Sequence, residues 1–417
     1  MRPSFTPQGT NFHQKDKTIR PFFKQSRGMH SFCSGNSVQL ILAMRRLFTA
    51  TIFFLFTVIS SAQSDKYNLF KETRNQGDTL SMRRMLHSWG EDDDELYSAW
   101  AGYCMVKAET DGKEWEDRAL EWTSNGRKKY PESTLLRSKS MELLFSTGHY
   151  PEAQQVMREI LSAGNPDDGD MSIIANLYLL KSNPDSAIFY LKKLTESSDK
   201  DISDYGKDVI REIEGNILES KDKLIVPDHK KLRQYSRTAE FKTLVNRFKR
   251  GDKNFTLKEL SDIYYGSAFG KNYQLVSMNQ AKAEGLYYEG KYREALKELE
   301  SILEEYPISL RTLYNCFLCK SALGEDTSAY LFKLQSLLGS IVLSGDGTSP
   351  KTPYHVICAD DEYLFLNEAF RMKSFLGQIL NNDNQDEMTF INSYGLEQTT
   401  FFELSPAYWE KIEGLLE

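Results

Sequence analysis

Ala119, Ala153 and Ala187 stand 34 residues apart, and Ala295 and Ala329 repeat the same step. Each sits in a similar phrase: WEDRAL, YPEAQQ, PDSAIF, YREALK and DTSAYL. A small residue recurring at this period marks a unit of two helices and their turns. One such unit cannot bury its apolar face alone, so its neighbours must stack against it. The chain is therefore expected to be mainly α, an array of helical hairpins.

The predicted helices fit that unit. Glu91 to Lys107 pairs with Trp115 to Asn125, Thr134 to Ser146 with Pro151 to Leu161, and Met171 to Leu180 with Pro184 to Thr195. Gly, Asn or Pro punctuates the short connections. With the repeat alanine at place 20, Pro131 and Pro307 fall at place 32, and Ala175 and Ala283 at place 8. Tyr150 and Tyr292 fall at place 17, and Tyr178 at place 11. On these residues the chain resembles tetratricopeptide repeats: well over 278–307, fairly over 101–131 and 134–195, and weakly over 312–342. Lys107, Met141 and Phe317 depart from the small residue expected at place 8. The resemblance implies a tetratricopeptide-like α-solenoid whose concave face receives a protein or peptide.

The two sets of alanines are out of phase, and the charged stretch 220–237 between them, with Pro227, reads as a linker. The expected layout is an N-terminal array over 63–219 and a C-terminal domain over 238–417. Asp204 to Glu219 and Ala239 to Arg250 read as helices, and Thr256 with Glu259 has capping-box spacing. After Val342 comes the turn-rich Ser344–Pro350, a strand-like Tyr354 to Cys358, and a helix predicted from Tyr363 to Leu380. Met388 to Asn392 and Thr399 to Leu404 read as a β-hairpin. A small antiparallel β element is therefore expected near the C-terminus, where it could cap the array. Tyr264-Tyr265-Gly266, GKYREAL with Pro307, SGDGTS at 344–349 and Asp361-Glu362-Tyr363 together resemble an uncharacterised domain of secreted bacterial proteins. That resemblance spans about 240–405 and implies no known reaction.

Met44-Arg45-Arg46, the apolar run Leu47 to Ile59 and Ser60-Ser61-Ala62 have the form of a secretory signal peptide cut after Ala62. The run is too short for a stable span. Residues 1–43 are expected to be a mis-assigned start, with a disordered extension as the alternative. Beyond Ala62 the chain holds 44 basic and 58 acidic side chains, net −14. That balance argues against nucleic acid as partner, because phosphate binding needs a positive field. It also argues against docking on anionic lipid. Cys104, Cys316, Cys319 and Cys358 remain after the cut, and no disulfide framework is expected.

No motif for catalysis, cofactor or metal binding rises above its plain reading. Cys316 and Cys319 form C-x-x-C inside a repeat helix, which suits buried core thiols. The acids 91–95 precede a helix, where its dipole favours them. Asp346-Gly347 reads as a tight turn, against a calcium or phosphate loop. His355, between that loop and Asp361-Glu362, reads either as a strand residue or as a base or metal ligand. An enzyme site in 344–367 would use Asp346, His355, Asp361, Glu362 and Tyr363. Tyr264, Tyr265, Tyr287 and Tyr288 offer aromatic contact surface for peptide or glycan, or else pack between helices. The function expected is a non-catalytic protein-interaction scaffold, exported to the periplasm or cell exterior and not membrane-spanning once cleaved, with a glycan as alternative ligand.

Overall fold

In the computed structural model, residues 64–416 are described, apart from 165, 222–223, 274–279 and 382. The signal-peptide reading of 44–62 and the reading of 1–43 lie outside them. Two helices not foreseen from the sequence open the fold, α1 (Asp65–Asn75) and α2 (Thr79–His87). The array continues with α3 (Asp94–Asp111), α4 (Glu114–Lys129), α5 (Thr134–Ser146), α6 (Tyr150–Ala163), α7 (Asp168–Leu180), α8 (Pro184–Leu194) and α9 (Lys200–Lys221). Polar side chains fix the helix starts: Asp93 accepts from Leu96 N at 2.7 Å and Ser133 from Leu136 N at 3.1 Å. Such caps satisfy donors that a helix start leaves without an internal partner.

The core of this half is laid out in series. One cluster runs from Tyr67 to Leu143, the next from Met141 to Leu180 and a third from Ala175 to Ile213. Each hairpin thus touches mainly the next, as a solenoid requires. Ala119, Ala153, Ala187 and Ala295 are all fully buried, as are the place-8 alanines Ala175 and Ala283 to within 1 %. Ala329 is exposed. It lies in the first turn of its helix, whose buried residues begin only at Leu334. The 34-residue rule therefore holds at four places and fails at the fifth, where the array gives way to a sheet.

The second half has one continuous core, from Leu232 to Ala407. It contains α10 (His229–Tyr235), α11 (Ala239–Lys249), α12 (Leu257–Ser267), α13 (Ala281–Tyr288), α14 (Tyr292–Glu305), α15 (Leu310–Ala322) and α16 (Ser328–Val342). The capping box at Thr256 and Glu259 is present. Residues 229–235, read from the sequence as linker, form a helix whose Leu232 joins this core.

Four strands follow: β1 (Tyr354–Val356), β2 (Ser374–Leu380), β3 (Gln385–Ile391) and β4 (Glu397–Leu404). Between β1 and β2 lies α17 (Ala359–Phe370), and α18 (Pro406–Leu416) closes the described chain. The strand order is β1-β4-β3-β2. The hairpin read from the sequence is β3–β4, but β1 adds to β4 in parallel. The sheet is thus mixed, not purely antiparallel. The helix expected to reach Leu380 ends at Phe370. Arg371 takes the left-handed conformation (φ 49°), which stops the helix, and 374–380 pair with β3. Met388, Phe390 and Phe402 are fully buried, and Phe365 of α17 meets Phe402 edge-on at 5.9 Å.

The repeat alanines yield a stability prediction. Ala187→Leu should lower the unfolding free energy by about 1–3 kcal/mol, because added methylenes force packed neighbours apart. Ala329→Leu should stay within about 0.5 kcal/mol of wild type. Denaturant titration of both variants reads the difference; equal losses would deny the alanine contact its role.

Candidate functional site

The turn-rich loop at 344–350 is built for close backbone approach. A Cβ at Gly345 would lie 2.0 Å from the Pro353 carbonyl oxygen, and one at Gly347 (φ +65°) 2.2 Å from the Tyr354 ring. Only glycine fits both places. Asp346 Oδ1 accepts from Thr348 N at 2.9 Å, Thr348 Oγ1 at 2.8 Å and Thr352 Oγ1 at 2.5 Å. The Gly347 carbonyl receives Phe401 N at 3.0 Å and Thr400 Oγ1 at 2.9 Å. Asp346 therefore holds its own loop closed, and the loop is fastened to β4.

Tyr264 and Tyr265 have no exposed surface. The Tyr264 hydroxyl donates to Asp361 Oδ2 at 2.7 Å. The Tyr265 hydroxyl reaches the carbonyls of His355 at 2.9 Å and Ser340 at 3.2 Å. Tyr273 donates to the Ile357 carbonyl. These three phenols grip residues 355–361 from below, so their rings serve the core. Burial pushes the Asp361 carboxyl up to about 7, against the lowering effect of the Tyr264 hydrogen bond. Glu362 is fully buried beside the Asp386 carboxyl. Burial, and then the neighbouring Asp386 carboxyl, hold it well above the usual carboxylate range.

His355 faces a different environment. Parallel pairing of β1 with β4 sets His355 opposite Glu403, and antiparallel pairing sets Gln385 opposite Glu403. His355 Nδ1 lies 3.8 Å from Glu403 Oε1, and Gln385 Nε2 lies 3.4 Å from the other carboxylate oxygen. His229 joins them from α10, its ring centroid 6.1 Å from that of His355. One atom from each of His229, His355 and Glu403 lies within 4.8 Å of the other two. Burial lowers both imidazoles to about 4, with His355 adding to the shift on His229. Sequence reading missed His229 and Glu403. The two histidines are 126 residues apart in the chain, and no spacing rule joins them. Asp346, His355 and Glu362 thus hold different partners: a loop, a strand-edge histidine pair and a buried carboxyl.

The first half carries a cluster of half-buried rings packed against its first core. Trp100 stacks on Trp122 at 5.2 Å and 7°. Tyr97 meets Trp122 at 5.6 Å, and His87 meets Trp100 edge-on at 5.8 Å. Both tryptophans are half-buried, and His87 is exposed. Beside His87 the exposed face of α2 carries Leu80, Arg83, Arg84 and Ser88 around a shallow, open depression. In the second half Tyr288 is 72 % exposed and touches half-buried Tyr287 at 5.9 Å. Tyr363 is partly exposed, and its hydroxyl donates to Gln378 Oε1 at 2.7 Å.

These features define an α-solenoid of tetratricopeptide-like hairpins continued by a helical unit that carries a small mixed sheet. Residues 228–412 match the family model described as a domain of unknown function (DUF4919), in agreement with the resemblance read at about 240–405. The chain has no match among curated proteins. Among solved structures it is similar to the TPR2AB-domain:pHSP90 complex of yeast Sti1. The TM-score is 0.26 at 16 % identity, covering 59 % of this chain and 90 % of that chain. The fold assignment rests on the hairpins themselves. No helix among the described residues is long and apolar enough to cross a membrane.

Asp361 supplies a pH prediction. Its folded pKa lies above the ordinary value of 3.8, so the folded state binds the extra proton between about pH 4 and pH 7. Its contribution to stability is therefore lost as pH rises through that window. Asp361→Asn keeps an acceptor for Tyr264 and removes the titration. The variant should gain on wild type as pH rises from 5 to 7.5, read by urea unfolding. A constant gap across that range would mean that Asp361 does not titrate there.

Proposed function

We propose that this chain is an exported, non-catalytic scaffold that holds a protein or peptide partner. The observation that carries this reading is the cluster of half-buried rings on α2, α3 and α4 beside an exposed α2 face bearing Arg83 and Arg84. Tryptophan and arginine dominate the energy of protein interfaces. The guanidinium groups stand on a chain of strongly acidic balance, so the partner presents carboxylates there. Tyr287 and Tyr288 supply a second contact surface, and glycan stacking is the lesser use of the same rings. The separate settings of Asp346, His355 and Glu362 weigh against one catalytic cleft at 344–367. The working division is an array over 63–219, a connection over 220–237 whose helix at 229–235 already packs into the second core, and a domain over 238–417. Export rests on the residues 44–62.

Two experiments test this. Amino-terminal sequencing of the secreted or periplasmic protein should begin at Gln63; an intact start in the cytoplasm would remove the export reading. Crosslinking in the source cell should recover one stoichiometric partner. Arg83→Glu with Arg84→Glu should lower its affinity, and Trp100→Ala should lower it about 30-fold, the loss of a hot-spot residue worth about 2 kcal/mol. Unchanged affinity in both variants, with wild-type helicity, would move the interface elsewhere.

A further inference from the structure

Two imidazoles and one carboxylate meet where α10 lies against the sheet, and most of their nitrogens have nothing to bond. Neither nitrogen of His229 has a hydrogen-bond partner, nor does Nδ1 of His355, and all three atoms are buried. Buried polar atoms without partners are costly, and a native fold seldom leaves three of them together. Each of the three residues is held by the fold. Asp228 caps α10 through Lys231 N at 3.0 Å, which sets His229 at the helix start. The His355 amide donates to Ser344 Oγ at 2.8 Å, and its carbonyl accepts from Tyr265. Glu403 is opposed in register by His355 on one side and Gln385 on the other.

We propose that His229, His355 and Glu403 bind one divalent transition-metal ion. Imidazole nitrogen with carboxylate oxygen is the donor set of zinc, iron and nickel sites. Ligand atoms around a tetrahedral zinc sit roughly 3.3 Å apart, given bonds of about 2.0–2.1 Å. The present separations, 3.8 Å for His355 to Glu403 and at most 4.8 Å overall, close to that by side-chain rotation. Gln385 holds the second oxygen of Glu403, the outer-shell contact that orients a ligating carboxylate. Three protein ligands leave a further position for water. The ion fastens α10 to β1 and β4. This inference is independent of the scaffold reading.

The test is a zinc titration of the chelator-stripped full chain against a chromophoric competitor. One equivalent should bind, while Ca²⁺ and Mg²⁺, which prefer all-oxygen sites, should not compete. His229→Ala and His355→Ala should each weaken Zn²⁺ at least about 100-fold, at or beyond the 10- to 100-fold typical of an outer-shell change. His149→Ala, in the turn between α5 and α6, should bind as wild type does. Zn²⁺ should also raise the melting temperature of wild type, reversibly with chelator. If an alanine variant lacks wild-type helicity by circular dichroism, Glu403→Gln takes its place, since it removes the charge and keeps the shape. Wild type binding no tighter than the His229→Ala/His355→Ala double variant would overturn the proposal. So would single variants that bind as wild type does, or Ca²⁺ displacing Zn²⁺.

Discussion

One buried asparagine joins the two halves of the molecule. Asn392, in the β3–β4 turn, is 3 % exposed, and both sides of its amide are engaged. Its Nδ2 donates to the Leu180 carbonyl at 2.9 Å and to Gln398 Oε1 at 3.1 Å. Its Oδ1 accepts from Tyr394 N at 3.0 Å and Leu396 N at 3.2 Å. The Leu180 carbonyl belongs to the last turn of α7, where such groups lack a partner within the helix. The hairpin tip therefore meets a need of the array while the array buries the tip. Leu396 has no exposed surface and lies in the cluster of Met141, Phe145 and Ile174, and Tyr394 meets Tyr150 at 5.8 Å. The placement of the sheet against the array, and with it the relation of the ring cluster on α2, α3 and α4 to the histidine site, depends on this contact.

Within the second half the same economy recurs. The phenols of Tyr264, Tyr265 and Tyr273 bond residues 355–361, which run from β1 through the short connection into the first turn of α17. Such a connection carries polar backbone groups into the core, where each needs a partner. Tyrosine supplies that partner on a large apolar ring. Two of the fragments that marked the second half are therefore in contact, Tyr264 with Asp361, and the same segments hold the strand between them: Tyr265 bonds the His355 carbonyl, and the Gly347 turn lies against Tyr354.

Legibility from the sequence followed the range of the forces involved. Thr134–Ser146 was read to the residue, because its cap and apolar spacing lie within one helix. The stretch 363–380 reads locally as one helix, but it holds the end of α17 and all of β2. Its local pattern does not reveal that Arg371 turns left-handed or that 374–380 find a strand partner in β3. Residues 229–235 read as linker because they are charged, and only contact with the core makes Leu232 a buried residue. Tyr264 and Tyr265 could not be sorted between surface and core, since a tyrosine suits either and burial depends on what covers it.

The sequence by itself determined the helical hairpins, their 34-residue step and the glycine-bearing turns. Those follow from periodicity, small residues and backbone sterics, which act over a few residues. The tertiary structure decided which hairpin ended the array, which strand lay beside which, and that His229 met His355 and Glu403. The parallel pairing of β1 with β4 joins residues 48 apart, and the contacts of His229 with His355 and of Asn392 with Leu180 span 126 and 212 residues, where no local propensity reaches. A site assembled from such contacts leaves no motif in the order of its residues.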